Sequence, residues 1–467
     1  MAKLGRVSDA ARLRARRWDV IVLGSGLPAL VAAARIGAAH HSVLVVEEDA
    51  ARAQHPALRE PFLLSGLRDE GALYHVLRNL NIPLIDRRRL QAERLAYQVV
   101  SPKWRVDVGA AKHMAAELEA WGIGGSEDDL PALIRILTEA TESERSAMLE
   151  AEIVRSGRRI GLRRGLGASA YVRGLPVEAA HLQGDLKSFF DGQLSALSNL
   201  ASSEVTGEAR SRLMGLGLSG GAGFGDDPPW LMGLLRRRIE ALHGEFRSVA
   251  GDFSLVSADG QPGIQVAESD ELWLGRVMAV AASPAGLSEA LESESLPKFL
   301  SKPRNPCRRI ALHFRVDQDA LPRGMGARLI SLGEETGEQT VSGRVATLTA
   351  HACTEEPGHV DLVARMRARG TEEIEAVETE LEERVRSLMP FSGGRLKRLK
   401  QRRPRWDDDG WLEDPKPGAG WPVVMDLRAS SRPPVYRLDR TGVASLGFEG
   451  DLLLGWRAGD VISQELD

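Results

Sequence analysis

The chain has 467 residues, of which 43% are hydrophobic and 27% are charged, and its formal net charge is −4. This length predicts two domains, because a single hydrophobic core rarely grows beyond about 250–300 residues. The composition excludes a disordered or fibrous protein, and the slightly acidic balance gives no reason to expect nucleic-acid binding. The two cysteines, Cys307 and Cys353, fit neither a disulfide framework nor a zinc cluster, which favours a reducing, cytoplasmic setting.

Residues 1–17 are rich in arginine and contain no apolar stretch, so they are not a secretory signal. We expect a flexible, solvated leader here, and contact with anionic lipid is the alternative. The sequence has no run of about 18 apolar residues, the length needed to span a bilayer. Any membrane contact would therefore be peripheral, at the inner face of a membrane.

The segment 18–49, WDVIVLGSGLPALVAAARIGAAHHSVLVVEED, predicts a strand, a turn, a helix and a second strand. Val20–Leu23 and Val43–Val46 are short aliphatic runs, typical of strands buried on both faces of a parallel sheet. Leu27–Ala39 is rich in alanine and favours a helix between them. This order predicts an α/β protein with a Rossmann-like domain.

The turn of this unit has the composition of a dinucleotide site. Gly24 allows the sharp turn out of the strand, and Gly26 allows the backbone to approach a pyrophosphate at the helix N-terminus. Ala29 is small enough for helix and strand to pack closely, and Pro28 is tolerated in the first helical turn. The predicted cofactor-binding residues of the turn are Gly24, Ser25, Gly26, Leu27, Pro28 and Ala29.

Glu47 and Glu48 follow the second strand, just over twenty residues after the turn. An acid at this position hydrogen-bonds the ribose hydroxyls of a dinucleotide, and its charge repels the 2′-phosphate of NADP. The two acids therefore complete a predicted dinucleotide site. A βαβ unit that is merely structural is the alternative.

The C-terminal segment 446–467, LGFEGDLLLGWRAGDVISQELD, predicts a turn that opens a closing helix. Gly447, Gly450, Gly455 and Ala458 place small residues on the side of this helix that approaches another part of the chain. An ordinary packed C-terminal helix would have the same features. The combination with the N-terminal motif is more specific.

Together the two ends resemble the FAD-dependent superfamily of phytoene desaturases, flavin amine oxidases and protoporphyrinogen oxidases, in which Rab GDP-dissociation inhibitors are non-catalytic relatives. In that superfamily the N-terminal βαβ unit holds the ADP half of FAD, and a glycine-rich C-terminal helix points its N-terminus at the flavin ring. The four small residues of the C-terminal segment match that pattern without a gap. The resemblance implies FAD as the cofactor, with Gly447, Glu449, Gly450 and Asp451 near the flavin.

The middle of the chain also resembles this superfamily. A helix over Trp230–Leu242, a turn at Gly244-Glu245, a small β-meander and a strand over Val277–Ser283 would return the chain to the FAD domain, with Phe253 beside the adenine. The implied fold is a Rossmann-like FAD-binding domain interleaved with an α+β substrate (cap) domain. The FAD domain would comprise 18–75, 230–285 and 430–467, and the cap domain 76–229 and 286–429.

Three departures from the superfamily concern the flavin. The Gly-Gly-Arg run that follows the ribose-binding acid is missing, and only Arg52 or Arg59 could contact a phosphate. The Ala-Gly-Asp stretch before the last helix is also absent. Asp451 stands where alanine is usual, and a carboxylate there would disfavour an anionic reduced flavin unless it points away.

The rest of the chain predicts a helix and a loop but no catalytic or metal-binding residue. Thr371–Met389 has apolar residues at helical spacing, and Pro390 ends it. Leu396–Gly410, LKRLKQRRPRWDDDG, sets basic residues beside three aspartates and favours a surface loop over an RNA or lipid patch. The histidines form no recognisable metal-binding motif, and no residue can be assigned as a catalytic acid, base or nucleophile.

The sequence thus predicts an FAD-dependent oxidoreductase that removes a hydride equivalent from a small or apolar substrate, either by desaturating an isoprenoid-like molecule or by oxidising an amine. The first alternative is a non-catalytic binding or carrier protein that keeps the fold with a degenerate redox site. An NAD-linked dehydrogenase is a weaker alternative, because it would not need the C-terminal helix motif.

Overall fold

The structure is a computed structural model that describes residues 4–6, 14–68, 71–124, 130–150, 154–155, 182–201, 207–224, 230–267, 270–291, 297, 300, 307–333, 345–370, 374–413 and 425–467. Within these ranges the helices are α1 (Leu27–Ala38), α2 (Asp49–Arg52), α3 (Ala72–Asn79), α4 (Leu84–Arg89), α5 (Ala111–Ala120), α6 (Leu130–Glu150), α7 (Gly184–Leu197), α8 (Gly207–Leu216), α9 (Leu231–Ala241), α10 (Pro284–Ala290), α11 (Ile374–Leu388) and α12 (Gly447–Leu466).

The strands fall into two large sheets and two short pairs. Their bounds are β1 (Gly5–Arg6), β2 (Arg14–Leu23), β3 (Val43–Glu48), β4 (Leu90–Glu93), β5 (Leu95–Val100), β6 (Arg105–Gly109), β7 (Val154–Arg155), β8 (Gly221–Phe224), β9 (Glu245–Val249), β10 (Phe253–Ala258), β11 (Gln261–Val266), β12 (Glu271–Val280), β13 (Cys307–Asp317), β14 (Arg328–Ser331), β15 (Ala346–Ala352), β16 (His359–Arg369), β17 (Leu396–Arg398), β18 (Trp411–Leu412), β19 (Met425–Asp426), β20 (Arg428–Ser431) and β21 (Pro434–Arg437).

The first large sheet is built on parallel strands in the spatial order β21, β12, β2, β3, β9. The inner strands β2 and β3 contain the aliphatic runs Val20–Leu23 and Val43–Val46, which are buried between helices on one face of the sheet and further chain on the other. Strands β10 and β11 extend the sheet as an antiparallel meander beside β12. All five parallel strands end at the same edge, so the residues that follow them lie close together.

The second large sheet is mostly antiparallel, in the order β17, β13, β16, β15, β14, β5, β6. Helix α11 packs on one face of this sheet through residues such as Leu381 and Val385. On the other face, arginines alternate with apolar residues along β13 and β16. This sheet and the helices α5–α8 belong to the part of the chain that the sequence assigns to the cap domain.

Most sequence-predicted elements have observed counterparts. Helix α1 ends one residue earlier than predicted, α9 is one residue shorter at each end, and α11 lies within the predicted helix. The prediction of a flexible leader is wrong for residues 14–17, because strand β2 begins at Arg14 and pairs with β12 from its first residue. Most of the rest of the leader, and residues 225–229 of the central segment, lie outside the described residues.

No helix among the described residues combines the length and the apolar character that crossing a membrane requires.

Candidate cofactor cleft

The glycine-rich turn connects β2 to α1 at the carboxyl edge of the parallel sheet. Gly24 has φ +105°, and a side chain there would lie 3.0 Å from the amide nitrogen of Ala282, so both conformation and space require glycine. Gly26 is the N-cap residue of α1, and Pro28 lies in its first turn. The turn therefore presents the N-terminus of α1 to the edge of the sheet, where an anion is stabilised.

Helices α1 and α12 lie side by side and run in the same direction. A Cβ at Gly455 would be 2.5 Å from the carbonyl oxygen of Pro28, and one at Gly459 would be 2.6 Å from Cβ of Arg35. Helix α12 thus extends about two turns beyond the start of α1, since eight residues of α12 precede Gly455. The amino ends of both helices face the same cleft, which is bordered by the end of β3.

The two acids of β3 already have protein partners. Glu47 is fully buried, and its carboxylate accepts two hydrogen bonds from Arg236, at 2.9 and 3.1 Å. Glu48 accepts hydrogen bonds from the backbone N–H groups of Arg405 (2.8 Å), Trp406 (2.9 Å) and Asp407 (3.3 Å). Both acids are therefore held by the chain itself.

Residues Arg405–Gly410, which we call the acidic segment, lie inside the cleft. Asp407 is 3% exposed and accepts a hydrogen bond from the backbone N–H of Ser25, at 2.7 Å, and another from the Ser25 hydroxyl. Its carboxylate stands at the N-terminus of α1, where the diphosphate of a dinucleotide would bind. Burial raises the pKa of Asp407, although the nearby Arg59 acts to lower it.

Arg59 joins the acidic segment to the glycine-rich turn. It donates to the hydroxyl oxygen of Ser25 at 2.9 Å and to its carbonyl oxygen at 2.8 Å. Its guanidinium also lies 3.7 Å from a carboxylate oxygen of Asp407 and 3.5 Å from one of Asp409. These carboxylates raise the pKa of Arg59 above its ordinary value although burial acts to lower it.

Trp406 fills the part of the cleft next to the β-meander. Its side chain is fully buried, and its ring meets that of Phe253 edge to face at a centroid distance of 5.3 Å. Gly286 makes room for it, since a Cβ at Gly286 would lie 2.6 Å from Cα of Trp406. Phe253, predicted to lie beside the adenine, thus lies beside an indole ring of the chain.

The end of the cleft where the resemblance predicts the flavin is occupied by an ion pair. Asp451 is buried and pairs with Arg440 at 2.6 and 2.9 Å, and it also accepts a hydrogen bond from Asn199 at 3.0 Å. Arg440 donates in addition to the carbonyl oxygens of Asp409 and Trp411. Glu449 accepts a hydrogen bond from the Ser65 hydroxyl at 2.7 Å. The carboxylate of Asp451 is therefore neutralised by a cation.

Little space remains for a cofactor. The cavity between Gly24, Gly26 and the acidic segment measures about 40 Å³. A neighbouring cavity, which we call the central cavity, measures about 150 Å³ and is lined by Arg59, Phe62, Arg309, Arg365 and Phe448 among others. Ligand pockets for drug-sized molecules start at about 300 Å³. FAD therefore does not fit the cleft while the acidic segment lies in it.

The structure brings many of the predicted site residues together. They surround the acidic segment, which the sequence did not place in the cleft. Ser25, Glu48, Phe253 and Asp451 each contact the acidic segment or Arg440, which holds it. The prediction that Leu396–Gly410 is a surface loop is wrong for Trp406 and Asp407, which are buried. Asp407 and Asp409 lie beside Arg59, which is distant in sequence, and Asp408 accepts a hydrogen bond from the amide of Gly410.

A third group of titratable side chains lies away from the cleft. His55, His313 and Asp361 place potential metal-ligand atoms within 4.8 Å of one another, although the sequence indicated no metal-binding motif. Arg315 donates to Asp361 at 3.0 Å, and the Nδ1 atom of His55 accepts from the amide of Ala57. The Nε2 atom of His313 lies 3.3 Å from a carboxylate oxygen of Asp361.

No protein-family model matches the sequence, and no curated protein matches it. Solved structures do match. The cyclohexylamine oxidase of Brevibacterium oxydans is 13% identical over 96% of this chain and 99% of its own, with a TM-score of 0.52. An oxidoreductase of Methanosarcina mazei is 15% identical over 92% of this chain and 98% of its own, with a TM-score of 0.51.

This chain has their fold. The predicted fold class, a Rossmann-like domain interleaved with an α+β domain, is confirmed by this likeness in fold to two oxidoreductases.

Proposed function

We propose that this protein is an FAD-dependent oxidoreductase that removes a hydride equivalent from a small or apolar substrate. The observation that carries the proposal is the convergence of α1 and α12, whose amino ends face one cleft beside Glu47 and Glu48. This arrangement serves to stabilise an elongated anion along its length. FAD supplies the redox chemistry in such proteins, and the chain contributes binding, orientation and exclusion of water.

The proposal requires that the acidic segment leave the cleft when FAD binds. The two occupants need the same partners: the amide of Ser25, the N-terminus of α1 and the guanidinium of Arg59. Asp407 supplies one negative charge to these donors, whereas a diphosphate supplies two and more acceptor oxygens. FAD and the acidic segment therefore compete for the cleft, and FAD has the stronger charge complement.

The substrate class is part of the proposal. The oxidase with the same fold acts on cyclohexylamine, as its name states, and this makes small primary amines the first substrates to test. Isoprenoid-like molecules are the second class, because the central cavity has apolar walls beside its charged groups. We assign no catalytic residue.

FAD titration of the wild type and of a variant without the two buried side chains of the acidic segment tests the proposal. In the double variant Trp406→Ala and Asp407→Ala, the competitor loses its ring and its charge. We expect FAD to bind this variant at least about tenfold more tightly than the wild type, which corresponds to about 1.4 kcal/mol. Equilibrium dialysis and the visible spectrum give the affinity, and wild-type protein refolded with FAD provides a second route to the complex.

Arg402→Ala is the control variant, since the Arg402 side chain is 79% exposed next to the same segment. Its FAD affinity should equal that of the wild type. If FAD binds neither the double variant nor the refolded wild type, the oxidoreductase proposal is wrong.

One observation favours a second candidate, a non-catalytic binding or carrier protein. Ser25, Glu48 and Asp451 all have internal partners, and Gly286 leaves room for Trp406, so the sequence accommodates the filled cleft in detail. Failure of every variant to take up FAD would support this candidate. FAD that binds and is then reduced by an amine would exclude it.

A further inference from the structure

The central cavity holds two arginines that have no acidic partner in the part of the chain that the structure describes. Arg309 and Arg365 line it together with the paired arginines Arg59 and Arg440. Among the described residues, no carboxylate lies within ion-pair distance of Arg309 or Arg365, whereas Arg59 and Arg440 each contact an aspartate. Two partly buried cations without an opposite charge in contact are unfavourable, because desolvation is not offset by an ion pair.

The geometry of the second sheet fixes these two side chains on one face. Arg309 in β13 is directly opposite Arg367 in β16, and Arg365 lies two residues before Arg367 in the same strand. Residues two apart on a strand share a face, so Arg309 and Arg365 are diagonal neighbours, with Cα atoms roughly 7–8 Å apart. Thr347 of β15 is opposite Arg365 and also lines the cavity.

Backbone contacts satisfy these arginines only in part. Arg309 donates to Asn199 and to carbonyl oxygens at the C-terminal end of α7, and Arg365 donates through Nη2 to the carbonyl oxygens of Ala57, Leu58 and Glu60. The Nη1 atom of Arg365 is buried and has no hydrogen-bond partner. Burial and repulsion between like charges lower the pKa of Arg309 to about 9, and burial lowers that of Arg365 to about 10.

We propose that Arg309 and Arg365 bind the carboxylate of a small substrate in the central cavity. A guanidinium presents paired N–H donors that match a carboxylate, and the side chains of both arginines line the cavity. The apolar part of the wall suits an apolar group on the same molecule, and it includes Leu27, Leu58, Phe62, Leu197, Leu216 and Phe448. The acidic residues of the lining include Asp407, Asp409 and Asp451, which are the partners of Arg59 and Arg440.

The size of the cavity limits the ligand. A volume of about 150 Å³ equals that of an engineered apolar cavity that accepts benzene. A molecule about the size of benzoate therefore fits without moving the acidic segment. The role of this ligand as a substrate rests on the proposed oxidoreductase function. The binding site itself does not depend on that function.

Benzoate and benzamide are the probes, because they share a shape and differ in charge. We expect benzoate to bind the wild-type protein at least about tenfold more tightly than benzamide, as one charged hydrogen-bonded contact implies. Isothermal titration calorimetry without added FAD gives both affinities. Equal affinities, or no binding of benzoate, would overturn the proposal.

Substitutions of Arg365 test whether benzoate binds in the central cavity. Arg365→Gln should weaken benzoate binding about tenfold and leave benzamide unaffected, while Arg365→Lys should recover only part of the loss, since lysine lacks the fork of donors. Arg367→Gln is the control: Arg367 also binds the Ser195 carbonyl oxygen but does not line the cavity. Unchanged benzoate affinity in Arg365→Gln would contradict the assignment.

Phe448→Trp covers the case in which Arg365→Gln does not fold. A larger ring on the cavity wall should reduce binding of both probes, and equal binding to this variant and the wild type would place the ligand elsewhere. Benzoate binding without FAD uptake would leave the anion site standing and remove the oxidoreductase function. FAD uptake without benzoate binding would leave the oxidoreductase function standing and remove the anion site.

Discussion

The four arginines of the central cavity form two pairs that differ in their partners. Arg59 and Arg440 contact aspartates, and their pKa values are raised; Arg309 and Arg365 contact neutral oxygens, and their pKa values are lowered. All four line the same cavity, so location does not explain the difference. The paired arginines hold the acidic segment in place. The unpaired arginines indicate the part of the cavity in which a bound anion would neutralise positive charge.

The largest expected effect concerns the paired arginines, Arg59 and Arg440. Arg440→Leu leaves the buried carboxylate of Asp451 with Asn199 as its one partner among the described side chains, and we expect a loss of about 3–5 kcal/mol in the free energy of unfolding. The double variant with Asp451→Leu should recover a large part of that loss, because no buried charge remains unpaired. Urea unfolding measures both.

The exposed pair of Arg386 and Glu382 is the control for this cycle. Its side chains are 47% and 24% exposed, and its coupling energy should be at most about 0.5 kcal/mol. A neutral effect of Arg440→Leu would mean that the ion pair with Asp451 is absent in solution. The comparison between paired and unpaired arginines would then lose its basis.

A second prediction concerns Glu60, the carboxylate that could neutralise Arg365. Its side chain accepts two hydrogen bonds from the amide of Leu231, at 3.0 and 3.1 Å, and not from a guanidinium. Burial raises its pKa to about 7 from an ordinary 4.5. The folded state therefore binds a proton more tightly than the unfolded state between these two values.

Stability contributed by this proton is complete below about pH 4.5 and is lost as pH rises through 7. A shift of about 2.5 pKa units corresponds to about 3 kcal/mol. We expect the free energy of unfolding of Glu60→Gln, relative to the wild type, to rise by about this amount between pH 4.5 and pH 8. If urea unfolding shows no such pH dependence, Glu60 is ionised in the folded state and Arg365 has a charged neighbour.

The sequence predicted the Rossmann-like unit well because its signals are local. Aliphatic runs such as Val20–Leu23, the glycine at position 24 and the acid at position 47 each follow from neighbours within one βαβ unit. The convergence of α1 and α12 could be predicted only through a family resemblance, since the two helices are more than 400 residues apart. The spacing of small residues in α12 was the usable signal.

The acidic segment could not be predicted, because its partners are distant in sequence. The stretch RPRWDDDG looks self-neutralising, and nothing local shows that Asp407 contacts Ser25 or that Trp406 contacts Phe253. For the unpaired arginines a local signal did exist. Arg365 and Arg367 alternate with apolar residues in a buried strand, and this spacing places both guanidiniums on one face of the sheet.

The smallest expected effect concerns the unpaired arginines, Arg309 and Arg365. Arg309→Gln removes a cation that is repelled by Arg365 and Arg367, and a glutamine can replace one of its hydrogen bonds to α7. We expect a loss of at most about 1 kcal/mol in the free energy of unfolding, well below that of Arg440→Leu, because relieved repulsion offsets lost hydrogen bonds. Saturating benzoate should widen the gap between wild type and variant, since only the wild type keeps both guanidiniums. A loss as large as that of Arg440→Leu would mean that a carboxylate partners Arg309 in the folded protein, and the two pairs of arginines would then be alike.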